Sequence, residues 1–356
     1  MNFFKKIKRE GILIIGVLMV SLTSCKKRES IVLHENITSF TKFPMETDVV
    51  FKNLFEYKDG EPRTLQLLDS TLIIFNFTKK IESFFYNYNL KSNKLSKGYL
   101  KKGRGPNEAI GAACTGIVDD NLWVYDVTKK KIFTIDKSSA LYGNEKLFQS
   151  YPVEDNFYQI TLIGNSKFLA SGKANSKYKI QEIDFSGKLQ KEFGEFKYIP
   201  KDVPTDALKD ACHSFFYLKP SGDKVAIPYL FTDIMEIYNI AQPSPNIAVQ
   251  GPHMVNMDFE VGKRGDYNFM KKNNEIRKTF LSGAVTDKYI YLAYSGLSYA
   301  EREDMNYCKY VYVFDWDGNP IKKLNLNKRI LGLAVSNDET IYSYDVDSGF
   351  IVKAEI

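Results

Sequence analysis

The chain has 356 residues, a formal net charge of +6, 44% hydrophobic and 14% aromatic residues, and three histidines. That much apolar side chain excludes a disordered polypeptide. About half of the positive charge sits in the first 24 residues, so the remainder carries too little to act as a basic nucleic-acid surface.

In chain order, MNFFKKIKRE brings Lys5, Lys6, Lys8 and Arg9 ahead of the apolar run GILIIGVLMV. That run is shorter than the roughly 20 residues a membrane-spanning helix needs. A positive start, a short apolar stretch and a small-residue end are the marks of a secretory signal. Leu22-Thr23-Ser24-Cys25 resembles the bacterial lipobox, which implies cleavage before Cys25 and lipidation of its thiol. Two or three acyl chains, at roughly 0.8 kcal/mol per buried methylene, make a durable membrane anchor. The expected organisation is a signal peptide over 1–24, a lipidated tether over 25–46 and one folded domain over 47–356. KKRES follows the cysteine. In Bacteroidetes-like lipoproteins surface export resembles a rule that asks for acidic residues there, so the expected location is the outer membrane, facing the periplasm.

Downstream, a pattern recurs in which a polar turn is followed by short alternating strands. LLDSTLIIFNF, IVDDNLWVYDVTKKKIFTID, LIGNSKFLASGK, LKPSGDKVAIPYL, AVTDKYIYLAYSG and AVSNDETIYSYDVDSG begin six copies, with turns near Thr71, Asn121, Ser166, Asp223, Lys288 and Glu339. A period of roughly 45 to 65 residues with several strands per copy is the signature of propeller blades. A lone four-stranded sheet cannot bury both faces, whereas a radial array buries each against the next. The fold expected is an all-β, six-bladed β-propeller. The sixth copy ends one strand short at Ile356, and DVVFKNLFEYKDG near the start has no blade of its own, so this N-terminal strand is expected to close the last blade. Helical periodicity is expected only in part of the insert after Gly251. Cys114, Cys212 and Cys308 are far apart, without metal or redox spacing, and read as buried small apolar residues.

YVYVFDWDGNPIKKLNLNKRILGLAVSNDETIYSYD and LKKGRGPNEA resemble stretches of the TolB-like six-bladed propeller lipoproteins of Bacteroidetes. Asn107 departs from the usual glycine in the second stretch. The resemblance implies the propeller fold and an exported lipoprotein, and little about activity.

GRGPNEA lacks the spacing of a phosphate loop and reads as a blade-to-blade turn that places Arg104 and Glu108 near one mouth of the central channel, as a pair that either braces the turn or contacts a ligand. DWDGN and DVDSG lack the glutamate that an EF-hand requires and read as hairpin turns. His34 falls in the tether. His213, in ACHSFFYL, is expected in an innermost strand, either as a hydrogen-bonded structural histidine or facing the channel. Three connections between copies are long, 103–111, 194–210 and 251–279. The last carries Lys263, Arg264, Tyr267 and Arg277, which form either a solvated loop or a basic, aromatic lip.

No hydrolase or zincin motif is present, so no catalytic residue, metal or cofactor is assigned. The expected function is a non-enzymatic binding or scaffolding module in the cell envelope, held to the membrane by its lipid. Its partner would be an envelope protein, peptide or glycan of acidic character, with no role for nucleic acid. The alternative is a calcium-dependent propeller hydrolase or lyase acting at the central channel.

Overall fold

The computed structural model describes residues 31–77, 81–143, 149–164, 166–243 and 245–356. The expected signal peptide and Cys25 lie outside them. The chain is a β-propeller. Its first blade runs Pro62–Leu68, Thr71–Asn76 and Ser83–Asn89 outward to the short strands Lys94–Leu95 and Tyr99–Lys101. The second runs Ala112–Val118, Asn121–Asp126, Lys131–Ile135 and Gln149–Pro152; the third runs Gln159–Leu162, Lys167–Ser171, Tyr178–Asp184 and Leu189–Glu195. The fourth runs Tyr217–Leu218, Lys224–Pro228, Ile234–Asn239 and Pro245–Gln250.

Burial follows this radial order. TLIIFN of Thr71–Asn76 is buried at every position, because both faces of a middle strand pack on neighbouring blades, whereas Lys94–Leu95 at the rim is exposed. Such strands read as continuous apolar runs rather than alternating ones. Apolar clusters fill the gaps between successive blades: Phe75 with Phe133, Trp123 with Phe168, Leu169 with Val225, and Ile237 with Phe314.

Against the expectation of six separate blades, four sheets stand alone and the rest of the ring is one eight-stranded sheet. The strand Pro320–Ser336 joins it. Its first part pairs with Cys308–Asp315 and its last part with Thr340–Asp345. LNLNKRI holds no glycine or proline, and Asn325 and Asn327 are engaged by the N-terminal segment, donating to Asp48 and accepting the Phe51 N–H respectively, so the backbone stays extended where a connection was expected. Apolar contact continues across the join, with Val313 and Ile341 in one cluster, and Ile351 meets Leu72 and Ile74 to return to the first blade.

Closure by the N-terminal strand is present: Lys52–Glu56 pairs antiparallel with Phe350–Glu355. The segment before it also docks. Val32 bridges to Tyr198, Thr38–Ser39 runs parallel to Val249–Gln250, and Glu46–Val49 runs parallel to 323–326. Residues 31–46 of the expected tether therefore lie along the outer edges of the blades, because Leu33 and Phe43 are apolar and find buried seats there.

The insert after Gly251 is not helical. It forms the hairpin Glu260–Arg264 with Tyr267–Lys271, turned by Gly265 at φ +61, the left-handed conformation that a two-residue hairpin turn requires. Helix forms instead at Lys137–Tyr142 and at Thr205–Ala211, where Pro204 starts a turn that buries Ala207, Leu208 and Ala211. DWDGN and DVDSG are hairpin turns, with Asp315 accepting the backbone N–H groups of Asp317 and Asn319. The three described cysteines are free, and burial pushes the Cys114 and Cys212 thiols up to about 12.

Candidate functional site

Strands within a blade alternate in direction, so the chain enters every innermost strand from the same face. All three long connections lie on that face. Residues at the entry points of four different blades come near one another there: Tyr158 packs on His213, and Arg63 and Lys278 lie close enough to His213 for their charges to act on it. Lys272, just past the hairpin of the insert, joins them from above.

The geometry is specific. The Lys272 and Lys278 ammonium groups stand 5.9 and 5.6 Å from the centroid of the Tyr299 ring, and Lys272 is also 5.8 Å from Phe231. Lys278 donates to Asn306 Oδ1 at 2.5 Å. The Arg63 guanidinium lies 4.8 Å from the centre of Phe77. His213 is stacked at 5.6 Å on Tyr158 and meets Phe215 edge-on at 5.6 Å. The Tyr158 hydroxyl is 3.0 Å from that of Tyr267.

None of Arg63, Lys272 and Lys278 forms an ion pair among those found in the described residues. Asp206 and Asp210, the carboxylates of the nearby helix, are occupied in accepting the backbone N–H groups of Asn268 and Met270, which fixes the hairpin above the mouth. The cations therefore act on one another, with only the Glu61 carboxylate opposing them, at Arg63. Burial, with the charges of Arg63, Lys272 and Lys278, takes the His213 imidazole down to about 4. Burial, with Arg63 and Lys272, takes Lys278 down to about 8. Arg63 is lowered chiefly by burial as well, against the raising effect of Glu61, although the residue keeps solvent exposure.

A neutral His213 has a consequence for stability. Its folded pKa lies below its ordinary 6.5, so between pH 6.5 and 4 the unfolded chain binds the extra proton and stability falls as pH falls. The shift corresponds to about 2–3 kcal/mol after a discount for partial solvent exposure. His213→Gln is expected to flatten the difference between urea midpoints at pH 7 and pH 4.5. An unchanged slope in the variant would mean that His213 is not the group concerned.

A sheet array of this kind, closed end to end, is matched over residues 39–338 by the family model described as TolB-like 6-blade propeller-like. The chain belongs to the TolB-like propeller family. Among solved structures it is similar to a putative exported protein from Bacteroides fragilis, at 12% identity and TM-score 0.53, covering 90% of this chain and 99% of that one. It is similar also to a DUF4221 family member from Bacteroides vulgatus, at 11% identity and TM-score 0.53, covering 88% and 97%. At such identities these likenesses show the fold. No curated relative matches the chain.

In this TolB-like chain only some of the residues singled out from sequence meet at the mouth. His213 is there, though just before the innermost strand Tyr217–Leu218 rather than within it, and held by ring contacts. Tyr267 reaches the mouth through Tyr158. Lys263 and Arg264 are exposed near the hairpin tip. Arg277 donates to the Gly296 carbonyl at 2.7 Å and borders a separate groove of about 800 Å³ under the insert, lined by Met257, Phe259 and Tyr294.

Arg104 and Glu108 do not pair. The Glu108 carboxylate accepts the Gly105 N–H at 2.7 Å and lies so close over Gly103 that a Cβ there would stand 2.0 Å from it. That loop is braced from below by Asp126, which accepts the N–H groups of Ile110 and Gly111. His34, assigned to the tether, is buried beside the propeller. Arg63 and Tyr158 escaped the sequence reading. The signal that finds them is position, since each stands at the entry to an innermost strand.

Proposed function

We propose that this TolB-like protein is an envelope-anchored, non-enzymatic binding module that uses the channel mouth bearing the long connections. The observation that carries this reading is the group of cations without a salt bridge, Arg63, Lys272 and Lys278, beside the rings of Phe77, Phe231 and Tyr299. A mouth of this kind suits an acidic partner: the charges steer it and the rings supply contact area. The ring is read as six blades, with the eight-stranded sheet counted as two, in keeping with the family description. The anchor is the lipid on Cys25, and the compartment is the periplasmic side of the outer membrane.

A calcium-dependent hydrolase or lyase would need carboxylates where this mouth carries cations. Among the described residues no three of His, Cys, Asp and Glu gather as metal ligands.

Capture from intact envelopes tests the reading. The wild-type protein should retain an acidic partner that is lost as salt rises, because exposed charges are screened within about 8 Å at physiological ionic strength. Arg63→Glu with Lys272→Glu should abolish capture while the fold persists, and Cys25→Ala should leave the membrane fraction. Undiminished, salt-insensitive capture by the double variant would refute this use of the mouth.

A further inference from the structure

The hairpin Glu260–Arg264 with Tyr267–Lys271 is a sheet of two strands, so each strand has one edge that no other strand pairs with. On Tyr267–Lys271 that edge is closed, because the N–H groups of Asn268 and Met270 donate to Asp206 and Asp210 of the neighbouring helix. In an antiparallel pair, residues whose N–H groups point outward on one strand stand opposite residues that also point outward on the other. Lys263 stands opposite Asn268 and Val261 opposite Met270, so the N–H and C=O groups of Val261 and Lys263 form the outer edge of Glu260–Arg264. No hydrogen bond is found at these four groups among the described residues. The helix contacts hold the hairpin in place, so the edge is open and already extended.

We propose that the free edge of Glu260–Arg264 takes up an extended acidic peptide as a third strand. This rests on the reading of this face as a binding surface and names the form of its partner. Backbone pairing supplies the affinity of such an addition, and the side chains select the sequence. Glu260 is answered by Lys271 at 2.7 Å, whereas Lys263 and Arg264 are exposed and in no ion pair found among the described residues, and the turn itself adds only Asp266. The edge therefore favours glutamate or aspartate beside it. A second copy of the chain would bring an equally basic hairpin, which opposes pairing between copies. The groove of about 800 Å³ begins where the strand begins, at Phe259 and Glu260, with Met257, Met270 and Ile276 in its lining. These give a bulky apolar residue at one end of the peptide a seat, while the exposed Asp258 and Glu275, which also line the groove, repel acids from it.

The test uses the mature protein at pH 7 and constant ionic strength, with a synthetic peptide of alternating glutamate and valine that carries phenylalanine at both ends, and with the same peptide carrying lysine for glutamate. In calorimetric titration the acidic peptide should bind at least about tenfold more tightly than the basic one, and Lys263→Gln with Arg264→Gln should weaken it about tenfold, the order expected of two exposed charge pairs. Methylating the peptide nitrogens keeps its charges and side chains but blocks strand pairing, and should abolish binding to the wild-type protein. Hydrogen exchange at the Val261 and Lys263 amides should slow in the complex, while the Asn268 and Met270 amides, already bonded to carboxylates, should not change. The proposal is overturned if the methylated peptide binds like its parent, if the basic peptide binds as well as the acidic one, or if the Val261 and Lys263 amides exchange at an unchanged rate. Each of these results would leave salt-sensitive capture through Arg63 and Lys272 untouched, so the use of the mouth stands or falls by its own variants.

Discussion

Deleting residues 47–60 is expected to abolish the folded monomer. This segment supplies two strands at once: residues up to Val49 flank 323–326, and Lys52–Glu56 completes the sheet edge at Phe350–Glu355. Between them the Phe51 N–H donates to Asn327 Oδ1 at 3.0 Å. Val49, Phe51 and Tyr57 are buried, and Asn76 donates to the Tyr57 hydroxyl at 2.7 Å. Each such side chain contributes about 1.5–3 kcal/mol by burial, against a total stability of about 5–15 kcal/mol for a typical domain. Losing all of them, and exposing two strand edges prone to pairing between molecules, should yield aggregate in size-exclusion chromatography. The milder Phe51→Ala should fold but lose about 3–5 kcal/mol in denaturant titration. A deletion variant that remains monomeric with the wild-type melting temperature would show that the ring does not depend on this closure.

The second large effect is expected at Lys179 and Glu236, an ion pair buried between the third and fourth blades at 5% and 0% side-chain exposure. Glu236 is saturated by its surroundings, accepting from the hydroxyls of Tyr229 at 2.7 Å and Tyr238 at 2.9 Å besides Lys179. Lys179 also donates to the Leu33 carbonyl at 2.8 Å, which fastens the docked N-terminal segment. Removing one partner strands a charge out of water, and Lys179→Met should cost about 3–5 kcal/mol. Adding Glu236→Leu should recover part of that loss, because the second substitution removes the orphaned charge. Denaturant titration of both single variants and the double variant measures the coupling. Strictly additive losses would mean that the two side chains act independently.

Much of the fold was legible because a propeller repeats its local chemistry. The turns at Asp315–Asn319 and Asp345–Gly349 and the runs TLIIFN and LWVYD are local signals of strand and hairpin, and each lies where the pattern placed it. Helix was expected in part of the insert after Gly251, and there Glu260–Arg264 pairs instead with Tyr267–Lys271 about Gly265, whose positive φ suits the tight turn. The fusion through Pro320–Ser336 was hidden as well. Nothing in LNLNKRI forces a break, and whether an extended stretch is a connection or a strand depends on the partners on either side.

The sequence by itself determined the repeat, the all-β class and the missing strand that the N-terminal segment fills, since each follows from the alternation and turns of neighbouring residues. It also marked the longest connection as basic and aromatic. Only the tertiary structure decided where those charges stand. Lys263 and Arg264 project into solvent near the hairpin tip, while Lys278 feels the charges of Lys272 and of Arg63, which opens a blade four earlier in the chain. Radial closure brings entry points distant in the chain to one axis, and no local pattern records which side chains will face each other there.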